Sequence, residues 1–185
     1  MAVKQIVNVK DPNLRQGAKP VSQADKKLIK LIEDMIDTLK AQNDPEGVGL
    51  AAPQIGVPLQ VFIMRDKKKI LPVVNPQILS FSKKNNDPKK EEKEKGYVME
   101  GCLSLPHYYG PVKRAWEVKL KYQIPKLENG EWKLKNIENT FTGFPAQIVQ
   151  HEVDHLNGKV FIDRLFEQDR ILYVLKNNEW KDVEI

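Results

Sequence analysis

Apolar residues recur along the chain at two spacings, and each spacing predicts one kind of element. Between residues 22 and 41 they fall on one face of an amphipathic helix, and this stripe is expected to face the core. Between residues 116 and 124 apolar and polar residues alternate, which is typical of a half-buried strand. The Asn129-Gly130 pair then predicts a hairpin turn, followed by a returning strand near 131–141.

Glycine and proline divide the rest of the chain into shorter elements. The segment 47–58 is too rich in both to form a regular long helix and predicts a shaped loop, which leads into strands at 60–65 and 70–81. A second helix is predicted to begin near Pro145 and to end near Gly158, because proline suits the first turn of a helix and glycine suits its end.

Composition predicts the character of two further segments. Residues 83–95 are polar and highly charged, which favours a solvated loop or insertion. The tail from residue 171 predicts a short strand, an Asn-Asn turn and another strand. No internal repeat or linker divides the chain, so residues 1–185 are expected to form a single domain.

The overall composition favours a globular protein of the cytoplasm. Hydrophobic residues make up 41% of the chain and charged residues 30%, as in ordinary globular proteins. No run approaches the roughly 18 apolar residues that span a bilayer, and the first residues lack the apolar segment of a signal peptide. The basic residues are scattered among acidic ones despite a net charge of +5, so neither a membrane nor a sequence-specific nucleic-acid partner is expected.

Residues 151–155 form an HExxH motif on the second predicted helix. One helical turn separates His151 from His155, so both imidazoles face the same side and can bind one metal ion. Glu152 is rotated around the helix from His151, which places its carboxylate beside the coordination shell, where it can act as a general base and acid. The alternative for the same residues is a helix with two ordinary surface histidines.

A third protein ligand is needed, because a catalytic metal usually has three of them and one open position. Glu167 is available downstream, but the HExxHxxGxxH pattern of many metalloproteases is absent from the sequence. Cys102, the only cysteine, is the other candidate, since a thiolate binds divalent metals well and the preceding Gly101 allows a close approach. The alternative for Cys102 is a buried side chain that only packs in the core.

Three segments together resemble the peptide deformylase family. Its members carry a GxGLAAxQ loop, an EGCLS segment and a QHExDHLxG helix in this order, and this chain has them at 47–54, 100–104 and 150–158. The charged insertion at 83–95 and the strand-like tail resemble the longer bacterial subclass rather than the one that ends in a C-terminal helix. The resemblance implies an α+β fold in which antiparallel β-sheets pack around a central HExxH-bearing helix.

The resemblance also implies a reaction and a metal site. The family removes the N-formyl group from the N-terminal methionine of nascent polypeptides and releases formate. Cys102, His151 and His155 would be the metal ligands with water in the fourth place, and Glu152 would be the acid/base residue. Family members commonly use Fe2+, and Zn2+, Ni2+ or Co2+ can occupy the same site.

Further residues are assigned by the resemblance to the reacting bond and to the substrate. The Gln54 side-chain amide and the Leu103 backbone N–H would donate hydrogen bonds to the developing oxyanion. The loop that contains Val48 and Gly49 would lie along the extended substrate.

The methionine side chain of the substrate is expected to bind in an apolar pocket. Val48, Ile148 and the stem of His151 are the predicted lining residues. Tyr109 falls where some family members have an arginine near the substrate, so it either binds the substrate or simply belongs to the packing.

Other functions are compatible with parts of the sequence. An HExxH zinc peptidase is supported by the helix motif but opposed by the cysteine-containing segment. A catalytically inactive, ribosome-associated binding protein is allowed by the positive net charge, although every expected catalytic side chain is present. A purely structural metal site is opposed by the position of Glu152 and by the lack of a fourth protein ligand. The favoured partners are formyl-methionyl nascent peptides, with a transient ribosome contact.

Overall fold

The computed structural model of the protein describes residues 2–66, 69–87, 99–177 and 179–183. Three α-helices lie within these residues: Lys26–Lys40 (α1), Phe144–Leu156 (α2) and Phe161–Glu167 (α3). Short 3-10 turns are formed by Pro12–Arg15 and Ala52–Ile55. The strands are, in chain order, Gly49–Ala51 (β1), Val61–Asp66 (β2), Lys69–Phe81 (β3), Asn85–Asn86 (β4), Glu100–Cys102 (β5), Leu105–Gly110 (β6), Arg114–Ala115 (β7), Glu117–Glu128 (β8), Glu131–Thr142 (β9), Leu172–Lys176 (β10) and Glu179–Val183 (β11).

The larger sheet is antiparallel and has the strand order β1-β2-β3-β8-β9. The predicted hairpin between β8 and β9 is confirmed. Its two turn residues, Asn129 and Gly130, have positive φ angles of 51° and 80°. Asparagine and glycine tolerate this backbone conformation better than other residues, which is why the pair marks the turn in the sequence.

The period-two pattern of β8 is confirmed, but its predicted start is wrong. Val118, Leu120 and Tyr122 are buried on one face of the strand. The strand begins at Glu117, and Trp116, which the alternation assigned to the buried face, is 37% exposed. The backbone N–H of Trp116 donates to the carbonyl of Lys84, and its carbonyl accepts from the Gly143 N–H beyond the end of β9.

A second antiparallel sheet has the order β11-β10-β6-β5, and β4 pairs with β7 in a short two-stranded sheet. The predicted strand-turn-strand tail is confirmed for β10 and β11, which pair from Leu172 with Val183 to Lys176 with Glu179. Asn178, the second residue of the predicted Asn-Asn turn, lies outside the described residues. The second sheet therefore joins the end of the described chain to the cysteine-containing strand β5.

Helix α1 begins at Lys26, whereas the sequence predicted a helix that starts with a capping pattern at Ser22 to Asp25. The Asp25 carboxylate accepts a hydrogen bond of 2.8 Å from the Leu28 backbone N–H, which caps the helix at this point. Periodicity alone does not locate such a cap. The predicted apolar stripe of α1 is buried in one cluster with residues of β1, β2 and β3, which confirms its role in the core.

The predicted loop 47–58 contains more regular structure than expected. Its first part forms β1 at the edge of the larger sheet, and a 3-10 turn follows directly. Gly56 ends this turn with a φ angle of 77°. A strand of three residues is too short to show a period in the sequence, so the pattern did not predict it.

Helix α2 packs at the centre of the fold and confirms the second predicted helix. It starts at Phe144 with Pro145 in its first turn, and Gly158 follows its end with a φ angle of 73°. A Cβ atom at Gly158 would lie 2.6 Å from the backbone oxygen of Arg15, so the close approach also requires glycine. The helix contacts five strands of the surrounding sheets and is buried along most of its length. The fold is therefore the α+β arrangement that the resemblance implied.

Helix α3 was not predicted, because seven residues are too few to establish a helical period. The Asp163 side chain accepts a hydrogen bond of 2.8 Å from the Val160 N–H and so caps its start. Phe161 and Leu165 pack with Cys102 in a small apolar cluster. None of the helices within the described ranges is long and apolar enough to cross a membrane.

Only the first part of the charged segment 83–95 can be compared with the structure. Asn85 and Asn86 form β4 and pair with Ala115 and Arg114 of β7. Residues 88–95 lie outside the described residues.

Candidate metal centre and substrate cleft

Three side chains of the kind that bind metals meet between α2 and β5. His151 and His155 lie one turn apart on α2, and Cys102 ends β5, where the pairing with β6 shifts its register. The three ligand atoms all lie within 4.8 Å of one another, and Sγ of Cys102 is 3.2 Å from Nε2 of His155. All three side chains are buried.

This set of donor atoms fits a divalent transition metal. One thiolate and two imidazole nitrogens are ligands that zinc and iron accept, and three protein ligands leave one position open in a tetrahedral site. Glu167, the other candidate for third ligand, lies outside this group. Its carboxylate accepts hydrogen bonds of 3.0 Å from Lys159 and 2.7 Å from Arg164.

The electrostatics of the centre favour a thiolate at Cys102. Burial raises the pKa of this thiol, but the charges and hydrogen bonds of His155 and His151 outweigh burial and hold the pKa well below its usual range. Burial also lowers the pKa of His151, yet Cys102 and Glu100 raise it well above its usual range. The negative charges of Cys102 and Glu100 therefore favour positive charge on the His151 imidazole, which lies between them.

Glu152 lies beside the three donors with one carboxylate oxygen unpaired. The residue is 3% exposed, and its Oε2 is buried without a hydrogen-bond partner among the described residues. Burial raises the pKa of Glu152 to about 7, so this carboxylate can take up and release a proton near neutral pH. A Cβ atom at Gly49 would lie 2.2 Å from Oε1 of Glu152, which explains why the loop has glycine at that position.

The side-chain amide of Gln54 has a fixed orientation. Its Oε1 accepts a hydrogen bond of 2.8 Å from the Ala51 backbone N–H. Its Nε2 therefore turns the other way, where it donates to Oγ of Ser104 at 3.2 Å and to Sγ of Cys102 at 3.4 Å. The amide donor of Gln54 thus lies at the metal centre, as an oxyanion donor would require.

A cleft of about 250 Å3 opens beside these groups. It is lined by the remaining residues that the resemblance assigned to the oxyanion or to the substrate: Leu103, Val48, Gly49, Ile148 and Tyr109. The structure therefore brings together every residue of the predicted site. The lining residues that were not predicted include Met99, Tyr108 and Phe144.

A buried ionic network lies behind His151. Nδ1 of His151 is 2.8 Å from Oε1 of Glu100, which leaves the other ring nitrogen for the centre. Glu100 accepts two hydrogen bonds from Arg114, one of them at 2.9 Å from Nε. Arg114 also donates to Asp154 at 2.7 Å, and Asp154 in turn accepts from Arg164 of α3. Through this network, His151 of α2 is connected to residues of β5, β7 and α3.

Pairing keeps Glu100 charged in spite of its burial. Burial raises the pKa of this carboxyl, but the charge and hydrogen bonds of Arg114, together with His151, lower it to about 2. Glu100 and Asp154 lie inside the EGCLS and QHExDHLxG segments. They were not predicted as site residues, although their positions in these motifs could have indicated a role at the site. Arg114 follows no motif, and only the folded chain places it between the two carboxylates.

The amino-acid sequence matches known deformylases over most of its length. The sequence model of the polypeptide deformylase family matches residues 3–170. The peptide deformylase of Thermotoga maritima is 40% identical over 162 residues, which cover 88% of this chain and 87% of that protein. The peptide deformylase of Bartonella quintana is 36% identical over 181 residues, which cover 95% of this chain and 92% of that protein.

Solved structures agree with the sequence comparison. The crystal structure of the Thermotoga maritima peptide deformylase matches with a TM-score of 0.73 at 36% identity, and the match covers 89% of this chain and 98% of that one. A class I type b peptide deformylase from Acinetobacter baumannii, solved with Met-Ala-Ser bound, matches with a TM-score of 0.70 at 35% identity and covers 88% and 98% of the two chains. Together with the cysteine, histidine and glutamate residues at its centre, these matches show that the chain belongs to the peptide deformylase family of metal-dependent hydrolases.

Proposed function

We propose that residues 1–185 act as a single catalytic domain that removes the N-formyl group from formyl-methionyl nascent chains and releases formate. The observation that carries the proposal is the group formed by Cys102, His151 and His155, whose ligand atoms lie within 4.8 Å of one another. Beside this group lies the buried Oε2 of Glu152, which has no hydrogen-bond partner among the residues that the structure describes. Three donors with one adjacent free carboxylate are the parts that a hydrolytic metal centre needs.

Cys102, His151 and His155 hold one divalent metal ion in this proposal. We propose Fe2+, with Zn2+, Ni2+ or Co2+ as alternatives that the same donors accept. Such an ion, when bound by these residues, would supply a Lewis acid and would lower the pKa of water, so that hydroxide would be available near neutral pH. A thiolate beside ferrous iron is sensitive to oxygen, so Cys102 is the expected point of oxidative damage.

Glu152 moves the proton in both halves of the reaction. Its carboxylate takes the proton of the attacking water and then delivers it to the departing amine of the methionine. The raised pKa of about 7 suits both transfers, because the group is neither too weak as a base nor too weak as an acid near neutral pH.

Gln54 and Leu103 stabilise the negative charge that grows on the formyl oxygen. The hydrogen bond from the Ala51 N–H fixes Oε1 of Gln54, so its Nε2 lies on the side of the centre, where it contacts Sγ of Cys102. The Leu103 N–H follows Cys102 directly in the chain and is the second donor. Donors that are already oriented need no reorganisation in the transition state, and one such donor contributes about 10²- to 10³-fold to turnover.

The peptide binds in the cleft with its methionine side chain inside. Val48, Ile148 and the stem of His151 form the apolar pocket, and Gly49 and its neighbours run along the extended backbone. The Met-Ala-Ser complex of the relative from Acinetobacter baumannii supports a peptide that begins with methionine. Because such chains are substrates as they are synthesised, we place the reaction in the cytoplasm; a transient ribosome contact stays a prediction.

Formate release from formyl-Met-Ala-Ser by anaerobically purified, metal-loaded protein tests this proposal. Acetyl-Met-Ala-Ser and Met-Ala-Ser serve as controls for the formyl group. We expect formate from the first peptide only, with release abolished by chelation and restored by Fe2+ or Ni2+. Cleavage of an internal peptide bond in the controls would favour a zinc peptidase instead. No hydrolysis of any peptide, combined with binding to ribosomes, would favour an inactive binding protein.

A further inference from the structure

Tyr109 lies in the cleft wall and packs against the backbone next to the metal centre. It pairs with Gly101 of β5 on one side of β6 and with Tyr173 of β10 on the other. A Cβ atom at Gly101 would lie 2.7 Å from Cδ1 of Tyr109, so the ring rests directly on this glycine. Gly101 directly precedes Cys102 in the chain. The ring of Tyr109 therefore contacts the residue next to a predicted metal ligand.

Trp180, a residue of the C-terminal hairpin, contacts the same ring. The ring centroids of Tyr109 and Trp180 are 5.3 Å apart, and the planes meet at 78°, which is the edge-to-face geometry that aromatic pairs prefer. Trp180 pairs with Leu175 in the ladder between β10 and β11, which fixes its position in the hairpin. Half of the Trp180 residue remains exposed, so the residue is not part of the buried core.

These contacts restrict Tyr109 from two directions. Gly101, which has no side chain, lets the Tyr109 ring approach the backbone of β5 closely. The Trp180 ring packs against the Tyr109 ring in an edge-to-face arrangement. The aromatic ring then presents a fixed apolar surface to the cleft. A fixed aromatic surface binds an apolar side chain with little loss of conformational entropy.

We propose that Trp180 is a positioning residue that holds Tyr109 as an aromatic wall, against which an apolar side chain downstream of the formyl-methionine packs. The inference rests on the proposed function, since it needs a formyl-methionyl peptide in the cleft. It gives the C-terminal hairpin a role in substrate preference. Residues far apart in sequence then act together, because β10 pairs with β6, which carries Tyr109, and with β11, which carries Trp180.

Kinetics with three peptides test the inference: formyl-Met-Gly-Gly, formyl-Met-Leu-Gly and formyl-Met-Gly-Leu. We expect the wild type to prefer at least one leucine peptide over the glycine peptide through a lower KM. Trp180→Ala should raise the KM of the preferred peptide about two- to tenfold, which corresponds to the strength of one edge-to-face pair. It should leave kcat, and both constants for the glycine peptide, unchanged. Trp180→Phe should restore the preference.

Trp132→Ala is the matched control, because Trp132 is a 36% exposed tryptophan on β9 that does not line the cleft. It should change none of these constants. A double variant, Tyr109→Ala with Trp180→Ala, should lose no more preference than Tyr109→Ala alone, since both changes remove one wall.

Three results would overturn the inference. The first is a wild type that hydrolyses all three peptides equally well. The second is a Trp180→Ala variant that loses activity equally on every peptide, and the third is a double variant whose losses add. Failure of the proposed function gives a different result, because the wild type would then release no formate even from formyl-Met-Gly-Gly.

Discussion

Two buried glutamates flank His151, and their surroundings are opposite. Glu100, behind the histidine, accepts hydrogen bonds from Arg114 and lies 2.8 Å from the imidazole. Glu152, on the cleft side, has an Oε2 without a partner among the described residues. The pKa of Glu100 is lowered to about 2, whereas burial raises the pKa of Glu152 to about 7.

The difference shows how one side-chain type serves two purposes at one centre. A carboxylate that is fully paired stays charged and can hold an imidazole in a fixed orientation. A carboxylate that is buried without such pairing can exchange its proton, which is the property a general base needs. The paired region is therefore expected to govern stability and metal affinity, and the cleft region is expected to govern turnover.

The largest expected effect is the loss of turnover in a variant of Glu152, which belongs to the cleft region. Glu152→Gln removes proton transfer and keeps the shape of the side chain, so kcat should fall about 10²- to 10⁴-fold. Metal content, measured by atomic absorption, should stay at the wild-type level, because Glu152 is not one of the three ligands. Glu138→Gln, a change of an exposed glutamate that pairs with Lys119, is the control and should leave kcat unchanged. A Glu152→Gln variant with wild-type kcat would contradict the claim that the cleft region governs turnover.

Arg114→Met tests the paired region through the free energy of unfolding. This change leaves Glu100 and Asp154 buried without their shared partner, and losses of this kind cost about 3–5 kcal/mol. Urea unfolding of the metal-free variant and wild type measures the loss. Lys119→Met breaks an exposed pair of 3.4 Å in which both side chains are 50% exposed, and it should cost less than about 1 kcal/mol. Equal losses for the two variants would contradict the structural role of the network.

Glu100→Gln should act on metal affinity rather than on chemistry. The amide can still contact His151, but it no longer provides a negative charge to orient and polarise the imidazole. Loss of such a supporting group typically weakens metal binding about 10- to 100-fold. Competition with a chromogenic chelator measures the affinity, and kcat is measured at saturating metal. A loss of kcat at unchanged metal affinity would assign Glu100 to the cleft region instead.

Asp34 provides the smallest test, because it is a paired carboxylate far from the centre. Its hydrogen bond from Lys30 at 2.7 Å lowers its pKa from 3.8 to about 2. A lowered folded-state pKa means that the stabilisation is present above the unfolded pKa and is lost as the pH falls through the folded one. Asp34→Asn should therefore reduce the loss of stability between about pH 4 and pH 2. Urea midpoints measured across this pH range test the prediction. If the variant and the wild type lost stability equally, the stabilising role of the Lys30–Asp34 pair would be contradicted.

Local patterns in the sequence predict those elements whose own residues determine them. Pro145 and Gly158 mark the ends of α2, and Asn129-Gly130 marks the hairpin turn, because each residue satisfies a backbone requirement at its own position. Elements that depend on tertiary contacts were missed. β1 is stabilised by its pairing with β2, and α3 packs on the cluster around Cys102.

The same distinction applies to the site. The HExxH pattern places His151, Glu152 and His155 on one helix, so their proximity follows from helix geometry. Arg114 is separated from Asp154 by 40 positions, and no periodicity brings such residues together. Trp180 and Tyr109 are even farther apart in the chain, and their contact exists only because β10 pairs with both β6 and β11. The residues that support the site are therefore harder to find in the sequence than the ligands themselves.

A metal titration of metal-free protein, followed by formate release from formyl-Met-Ala-Ser, tests the central claim most directly. The claim is that Cys102, His151 and His155 hold one catalytic metal ion. We predict that activity of the wild type rises with added Ni2+ and stops rising at one ion per chain, whereas Cys102→Ala stays inactive over the same range. Full activity without added metal, or a Cys102→Ala variant that titrates like the wild type, would contradict the account.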